Sequence, residues 1–335
     1  MEIRTIINLS ELYFKKLEQF VSSHPNGNFF QSPKAFQFFQ AVENYKPFLF
    51  VAIENDEIVG SLLAVIMKEG TGLKGYFSRR CIIWGAPLAK DQNSAIHSSI
   101  FKKLNEIVSK KSIYSEIRNF SDQSVQKELL QQIGFRFNEH LNYIVKISSM
   151  EEAWTKLSDS KKRQIKKSIK NGASIIEAEK LDQIESFYKI LATLYREKVK
   201  KPLPSFELFE KFFRRDELGK YFLIAYQDKI IGGIMCPIYR DTIYEWFVCG
   251  LDGEFQNIYP SVLATWAPIE YAAKHGLKYF DFMGAGKPDE DYGVREFKSK
   301  FGGELVNYGR FVRINNPLLY NIGKIGLKIW GKIRS

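Results

Sequence analysis

FLFVAIENDEIVGSLLAVI (Phe48–Ile66) and YFLIAYQDKIIGGIMCPIY (Tyr221–Tyr239) are two versions of one pattern. Each is an apolar run, a short polar turn and a second apolar run, which reads as a β-hairpin. Ala52 matches Ala225, Asp56 matches Asp228, and Ile58-Val59-Gly60 matches Ile230-Ile231-Gly232. Self-similarity at a fixed offset of roughly 170 residues is the signature of an internal repeat.

The match extends outward in register. Glu128–Gly134 (ELLQQIG) resembles Glu296–Gly302 (EFKSKFG), and a strand follows each, Leu141–Ile147 and Tyr308–Ile314. Between hairpin and end lie a helix and a strand: Ser94–Ser109 with Ile113–Asn119, then Ser261–His275 with Tyr279–Met283. Helices precede each copy, at Leu9–Ser22 and Pro33–Glu43, and at Leu181–Lys198 and Ser205–Arg214. The order predicts an α/β (α+β) chain of two tandem domains, each a mixed twisted sheet flanked by helices. The expected division is residues 1–150, residues 151–315, and a C-terminal segment 316–335, with the boundary in the polar stretch 148–160.

Composition agrees with this division. A length of 335 residues suits about two domains. Three cysteines (Cys81, Cys236, Cys249) without a CxxC pair argue against a disulfide framework or zinc ribbon. Four scattered histidines offer no HExxH spacing, so a sequence-local metal site is not expected. No apolar run reaches the ~18 residues of a membrane span, and the first residues lack a signal-peptide core; the expectation is a cytoplasmic protein.

The net charge of +11 is concentrated in two places. Trp154–Gly172 holds seven basic residues against Asp159, and Asn315–Ser335 holds Lys324, Lys328, Lys332 and Arg334 with no acid. The first segment reads as a helix with Ile165 and Ile169 on an apolar stripe and Lys162, Lys166 and Lys170 on another, flanked by Arg163 and Lys167. It is either an anion-binding surface, for nucleic-acid phosphates or a membrane, or a solvated helix face. The second places Ile322, Ile325, Ile329 and Ile333 at helical spacing beside Trp330, with the lysines on another face. It is either a basic interfacial helix giving peripheral contact with the inner membrane surface, or a helix docked on the protein's own core.

The hairpin–helix–strand–helix–strand order resembles the acyltransferase fold of the GNAT superfamily, and two copies in tandem resemble the Fem-type aminoacyltransferases that build peptidoglycan bridges. KYFDFMGAGKPDEDYGVREFKSKFGGELV (Lys278–Val306) is similar to that family's ending: an aspartate strand, a glycine turn, then Phe-Lys before Phe-Gly. FFQSPKAFQFF (Phe29–Phe39) resembles its early Gln-Ser segment, and KKRQIKKSIKNGASI (Lys161–Ile175) its basic helix. The resemblance implies amide formation: an aminoacyl group passes from aminoacyl-tRNA to an amine of a peptidoglycan or other envelope precursor, without a cofactor. The best-known members insert a long helical-hairpin arm in the second half. Leu181–Tyr221 has room for two ordinary helices only, so the single-precursor type without the arm fits better.

Acyl transfer to an amine passes through a tetrahedral oxyanion and needs a positioned amine and a donor at that oxygen. No Ser/His/Asp or Cys/His constellation is visible. By the resemblance Lys298 is the catalytic Phe-Lys lysine and Phe297 shapes its pocket; the alternative is a solvated cation like Arg295 and Lys300. Lys34, in the first-half entrance segment, and Arg196, in a stretch that resembles the helix bearing the family's precursor-binding arginine, are candidates for precursor phosphates, and arginine suits bidentate phosphate contact; either is otherwise an ordinary exposed cation. Tyr244 bonds the substrate or packs in the core. Asp281, ending its strand before a glycine turn, orients substrate or a base, or caps the turn. Asp289, Glu290 and Asp291 read as a solvated loop.

GAGKP is not a P-loop, because Asp281 stands where the first glycine is required and Pro288 follows the lysine. CoA-dependent GNAT enzymes hold pyrophosphate on a basic glycine-rich loop opening a helix. Neither GLDGEFQNIYPSVLATW (Gly250–Trp266) nor GAPLAKDQNSAIHSS (Gly85–Ser99) has it. Acyl-CoA-dependent N-acyltransfer to an envelope sugar is the alternative activity, and an RNA-binding or membrane-docked module derived from the fold is the non-catalytic one.

Overall fold

The computed structural model describes residues 1–323. Both hairpins form as read. Tyr45–Glu54 pairs with Glu57–Met67, and Gly219–Tyr226 with Lys229–Tyr239. Each closes through a two-residue turn with positive φ at both positions, Asn55-Asp56 and Gln227-Asp228. Such turns match the right-handed twist of the strands they join. The matched glycines share a purpose. A Cβ on Gly60 would lie 2.4 Å from Ile96 Cγ2, and one on Gly232 would lie 3.1 Å from Pro260 Cβ. In each copy the glycine sits where the following helix begins to cross the hairpin.

The chain forms two compact units, Met1–Glu139 with Tyr308 onward, and His140–Asn307. In the first, the sheet order is Glu2–Ile6, Tyr45–Glu54, Glu57–Met67, Arg80–Trp84, Tyr114–Arg118, Arg310–Ile314 and Arg136–Asn138. In the second it is Ser174–Glu177, Gly219–Tyr226, Lys229–Tyr239, Thr242–Tyr244, Tyr279–Asp281, Asn142–Lys146 and Glu304–Val306. The orders are equivalent, including one parallel pair in each: Arg80–Trp84 with Tyr114–Arg118, and Thr242–Tyr244 with Tyr279–Asp281. Ile100, Phe101 and Leu104 cover one face of the first sheet, and Leu263, Trp266 and Ile269 one face of the second.

The division differs from the expected 1–150 and 151–315 in one respect. Asn142–Lys146, from the first half of the sequence, belongs to the second sheet, and Arg310–Ile314, from the second half, belongs to the first. The two repeats have exchanged their equivalent strands. Chain order assigns a strand to the sheet built just before it; the two strands carry the same alternating pattern, so nothing local marks the exchange.

Arg310 on the exchanged strand completes a buried ion cluster. Its Nη1 lies 2.7 Å from Glu116 Oε1, and Arg118 Nη2 lies 3.2 Å from Oε2. Burial pushes the Glu116 carboxyl up, but the two guanidiniums outweigh it and hold it at about 2, against 4.5 ordinarily. A depressed carboxyl contributes stability that is complete above pH 4.5 and disappears as pH falls through 2. The contribution is ~3 kcal/mol. Denaturant unfolding at pH 6 and pH 3 should therefore show a smaller acid loss in Glu116→Gln than in the unsubstituted chain; equal losses would contradict this.

Residues 317–323 are helical; the remainder of the expected 316–335 helix, with Lys324, Lys328, Lys332 and Arg334, lies outside the described residues. Among the described residues, no helix is long and apolar enough to cross a membrane.

Candidate active site

The second unit gathers its chemistry around the glycine turn that follows Tyr279–Asp281. Parallel pairing sets Tyr244 beside Asp281, and Glu245 N donates to Asp281 O at 2.9 Å. The short helix Gly293–Ser299 then carries Lys298 back beneath the turn. Lys298 is buried, and its Nζ lies 2.9 Å from Phe282 O, 2.8 Å from Gly284 O and 2.7 Å from Glu245 Oε1. Three donors meet three acceptors, which exhausts a lysine ammonium.

Asp281 occupies the other side of the turn. Its Oδ1 accepts from Asn142 Nδ2 at 2.7 Å and Met283 N at 2.6 Å, while Asn142 Oδ1 accepts from Gly284 N at 2.7 Å. Asn142 comes from the exchanged strand, so that strand completes the cluster. Burial raises the Asp281 carboxyl, opposed by its bonds to Asn142 and Met283 N and by Lys298. Burial likewise raises Glu245, opposed by Lys298. Glu245 Oε2 is buried without a hydrogen-bond partner. One turn before Lys298, Arg295 donates to the carbonyls of Ala285, Lys287, Pro288 and Glu290. The loop is thus clamped carbonyl by carbonyl from one helix, and Arg295 is no solvated cation.

Of the expected site residues, Lys298, Asp281, Tyr244 and Phe297 come together here. Tyr244 is buried and Phe297 half-buried. Arg196 does not join them: it lies on the Tyr195–Val199 turn, exposed, bonded to Thr193 and Glu197. Lys34 lies in the first unit, on the helix Pro33–Ala41, partly exposed between buried neighbours. Among the described residues, no group of His, Cys, Asp and Glu could hold a metal ion.

The basic helix is Asp159–Lys170, capped by Ser158. Its buried face is Lys161, Ile165 and Ser168; Ile169 is 53% exposed, which corrects the expected Ile165–Ile169 stripe. Arg163, Lys166, Lys167 and Lys170 face solvent, and Lys162 does so in part. Ser158 N donates to Lys300 O at 3.0 Å, tying this helix to the one that carries Lys298. Lys161 Nζ sits 3.8 Å above the Phe297 ring, and burial, with Lys300 nearby, lowers it to about 8.

Sequence reasoning missed Glu245, Asn142 and Lys161. Glu245 left a signal, an acid inside the apolar strand stretch TIYEWFVCG. Asn142 left none, because its place depends on the strand exchange.

The helices that would receive a CoA pyrophosphate are already satisfied at their N-termini. Ser261 N, opening Pro260–Lys274, donates to Asp252 Oδ1 at 3.2 Å. Asn93 Oδ1 accepts from Ala95 N and Ile96 N at the start of Ser94–Val108.

Residues 209–326 match the FemAB family. That stretch, about a third of the chain, contains Tyr244, Glu245, Asp281, Phe297 and Lys298. Aminoacyltransferase FemA of Staphylococcus epidermidis is 28% identical over 82 residues, which are 23% of this chain and 20% of that protein. The chain thus matches about a fifth of the length of this curated relative. The FemX crystal structure covers 96% of this chain and 99% of its own, with a TM-score of 0.72 at 15% identity. A tandem GNAT protein from the clavulanic acid biosynthesis pathway, solved without acetyl-CoA, covers 94% and 99%, with a TM-score of 0.60 at 9% identity. At these identities the structures show the fold alone, two GNAT-like units in tandem.

Proposed function

We propose that this chain is an aminoacyltransferase that forms an amide bond on a peptidoglycan-type precursor at the cytoplasmic face of the envelope, with aminoacyl-tRNA as donor. The observation that carries the reading is the coincidence of the FemAB-family stretch with the buried Glu245–Lys298–Asp281 cluster. Attack by an amine on the aminoacyl ester forms the C–N bond, creates an oxyanion and releases a proton; collapse of the oxyanion breaks the ester C–O bond, and the tRNA oxygen leaves with that proton. Lys298 supplies the positive charge at this centre, and Glu245 Oε2 is its open proton site. Since every N–H of Lys298 is occupied, protonation of Glu245 by the attacking amine is the step that would loosen the ion pair and turn the ammonium toward the oxyanion. Asp281 holds the turn, and Tyr244 and Phe297 shape its surroundings.

Arg196 is assigned to the precursor's phosphates in the second unit, and Lys34 is kept as a separate candidate anion contact of the first. The donor is assigned to tRNA because Asp252 and Asn93 occupy the helix N-termini on which acyl-CoA would rest its pyrophosphate. The exposed cations Lys162, Arg163, Lys166, Lys167 and Lys170 are assigned to the tRNA backbone. Changing Lys162, Lys166 and Lys170 together to Glu should raise the KM for charged tRNA at least about tenfold and flatten its salt dependence. Unchanged kinetics would return that face to a solvated role. Peripheral membrane contact is assigned to 316–335.

A further inference from the structure

Five of the fifteen large hydrophobic residues that are exposed among the described residues lie at one edge of the first unit. Leu73 (77% exposed), Tyr76 and Phe77 share one face of the short helix Gly72–Ser78, and Leu318 (71%) and Ile322 follow one another four apart in 317–323. The two segments are held at one place by backbone bonds: Ile113 N donates to Arg79 O at 2.9 Å, and Asn315 N and Asn316 N donate to Ile113 O. Tyr320 packs edge-on against Tyr114 at 5.7 Å, and Asn315 Nδ2 bonds Ser112 and Ser115. A Cβ on Gly323 would lie 3.8 Å from Phe77 O, so the helices touch.

The charged residues next to these side chains in sequence are basic except for Glu69. Residues 68–80 contain Lys68, Lys74, Arg79 and Arg80 against Glu69, which is paired with Arg80 at 2.6 Å. In sequence, the apolar spacing Leu318, Ile322 continues at Ile325, Ile329 and Ile333, and the following charges are all positive. A surface with apolar tips and cationic flanks matches an anionic bilayer, which takes the side chains among its acyl chains and the charges among its headgroups. The same positive charge disfavours cover by the basic tail itself.

We infer that Gly72–Ser78 and 317–323 form a single docking surface for an anionic phospholipid bilayer. The surface extends the membrane contact assigned to 316–335 to a helix distant in sequence. It does not depend on the transfer reading.

Co-sedimentation of the full chain with phosphatidylcholine vesicles, with and without phosphatidylglycerol, tests it. Partition onto the phosphatidylglycerol vesicles should exceed that onto phosphatidylcholine alone and fall with salt. Leu73→Ser with Phe77→Ser should weaken it at least about tenfold, and Lys68→Glu with Lys74→Glu should weaken it likewise. These side chains are exposed, so the thermal midpoint should not move. The inference is overturned by absence of partition onto either vesicle, by equal partition onto both, or by binding that the Leu73/Phe77 variant retains in full, which would assign the contact to the tail alone.

Discussion

Lys298→Ala is expected to lower the stability of the chain by ~3–5 kcal/mol, the usual cost of leaving one member of a buried ion pair without its partner. The ammonium joins Glu245 to the carbonyls of Phe282 and Gly284, and its removal strands all three in a buried place. Loss of transfer in that variant would therefore not distinguish catalysis from collapse of the turn. Replacing both charges separates them. Lys298→Met with Glu245→Leu removes the buried charges together, and buried pairs replaced in this way lose little stability or gain some. The double variant should recover part of the unfolding free energy in urea, because the carbonyls of Phe282 and Gly284 stay unpaired, while remaining without transfer activity. Recovery of both would make Lys298 purely structural. An unfolding curve for Lys298→Ala that matches the unsubstituted chain would contradict the ion-pair account.

The second large effect follows from the strand exchange. A fragment ending at residue 150 keeps Asn142–Lys146, whose Tyr143 and Val145 belong to the core of the other unit. It lacks Arg310–Ile314, which bridges Tyr114–Arg118 and Arg136–Asn138 and contributes the buried Phe311. That fragment should aggregate or show no cooperative unfolding. Residues 1–139 joined directly to 308–335 should fold. Asn138 already pairs with Arg310, so Glu139, Tyr308 and Gly309 form a three-residue hairpin loop, and Gly309 already has a φ of +64°. Circular dichroism during urea unfolding distinguishes the two. A cooperative transition in the 1–150 fragment would contradict the exchange.

These two cases mark what was legible in the sequence. The hairpins, the helices at Ser94 and Pro260 and the strand before the glycine turn were readable because period-2 runs, polar turns and helical spacing are local. So were the aspartate at the end of that strand and the Phe-Lys pair on the helix after the turn. The exchange was not, because two equivalent strands obey the same local rules and only their pairing separates them. Asn142 was hidden for the same reason. The buried character of Lys298 and Lys161 was also hidden: both sit in basic runs that read as solvated, and burial depends on the carbonyls and rings they meet. Ile169 erred the other way, since its spacing from Ile165 fits a stripe that Lys161 and Ser168 in fact occupy.

The central claim is transfer from charged tRNA to an envelope precursor. The most direct measurement offers the purified chain total aminoacyl-tRNA or a panel of acyl-CoA donors, with UDP-linked and lipid-linked muropeptide as acceptors, and reads the acceptor mass. The account predicts a gain of one amino-acid residue with charged tRNA, and none with acyl-CoA or uncharged tRNA. A gain with acyl-CoA alone, or no gain with any pair from folded protein, would contradict it.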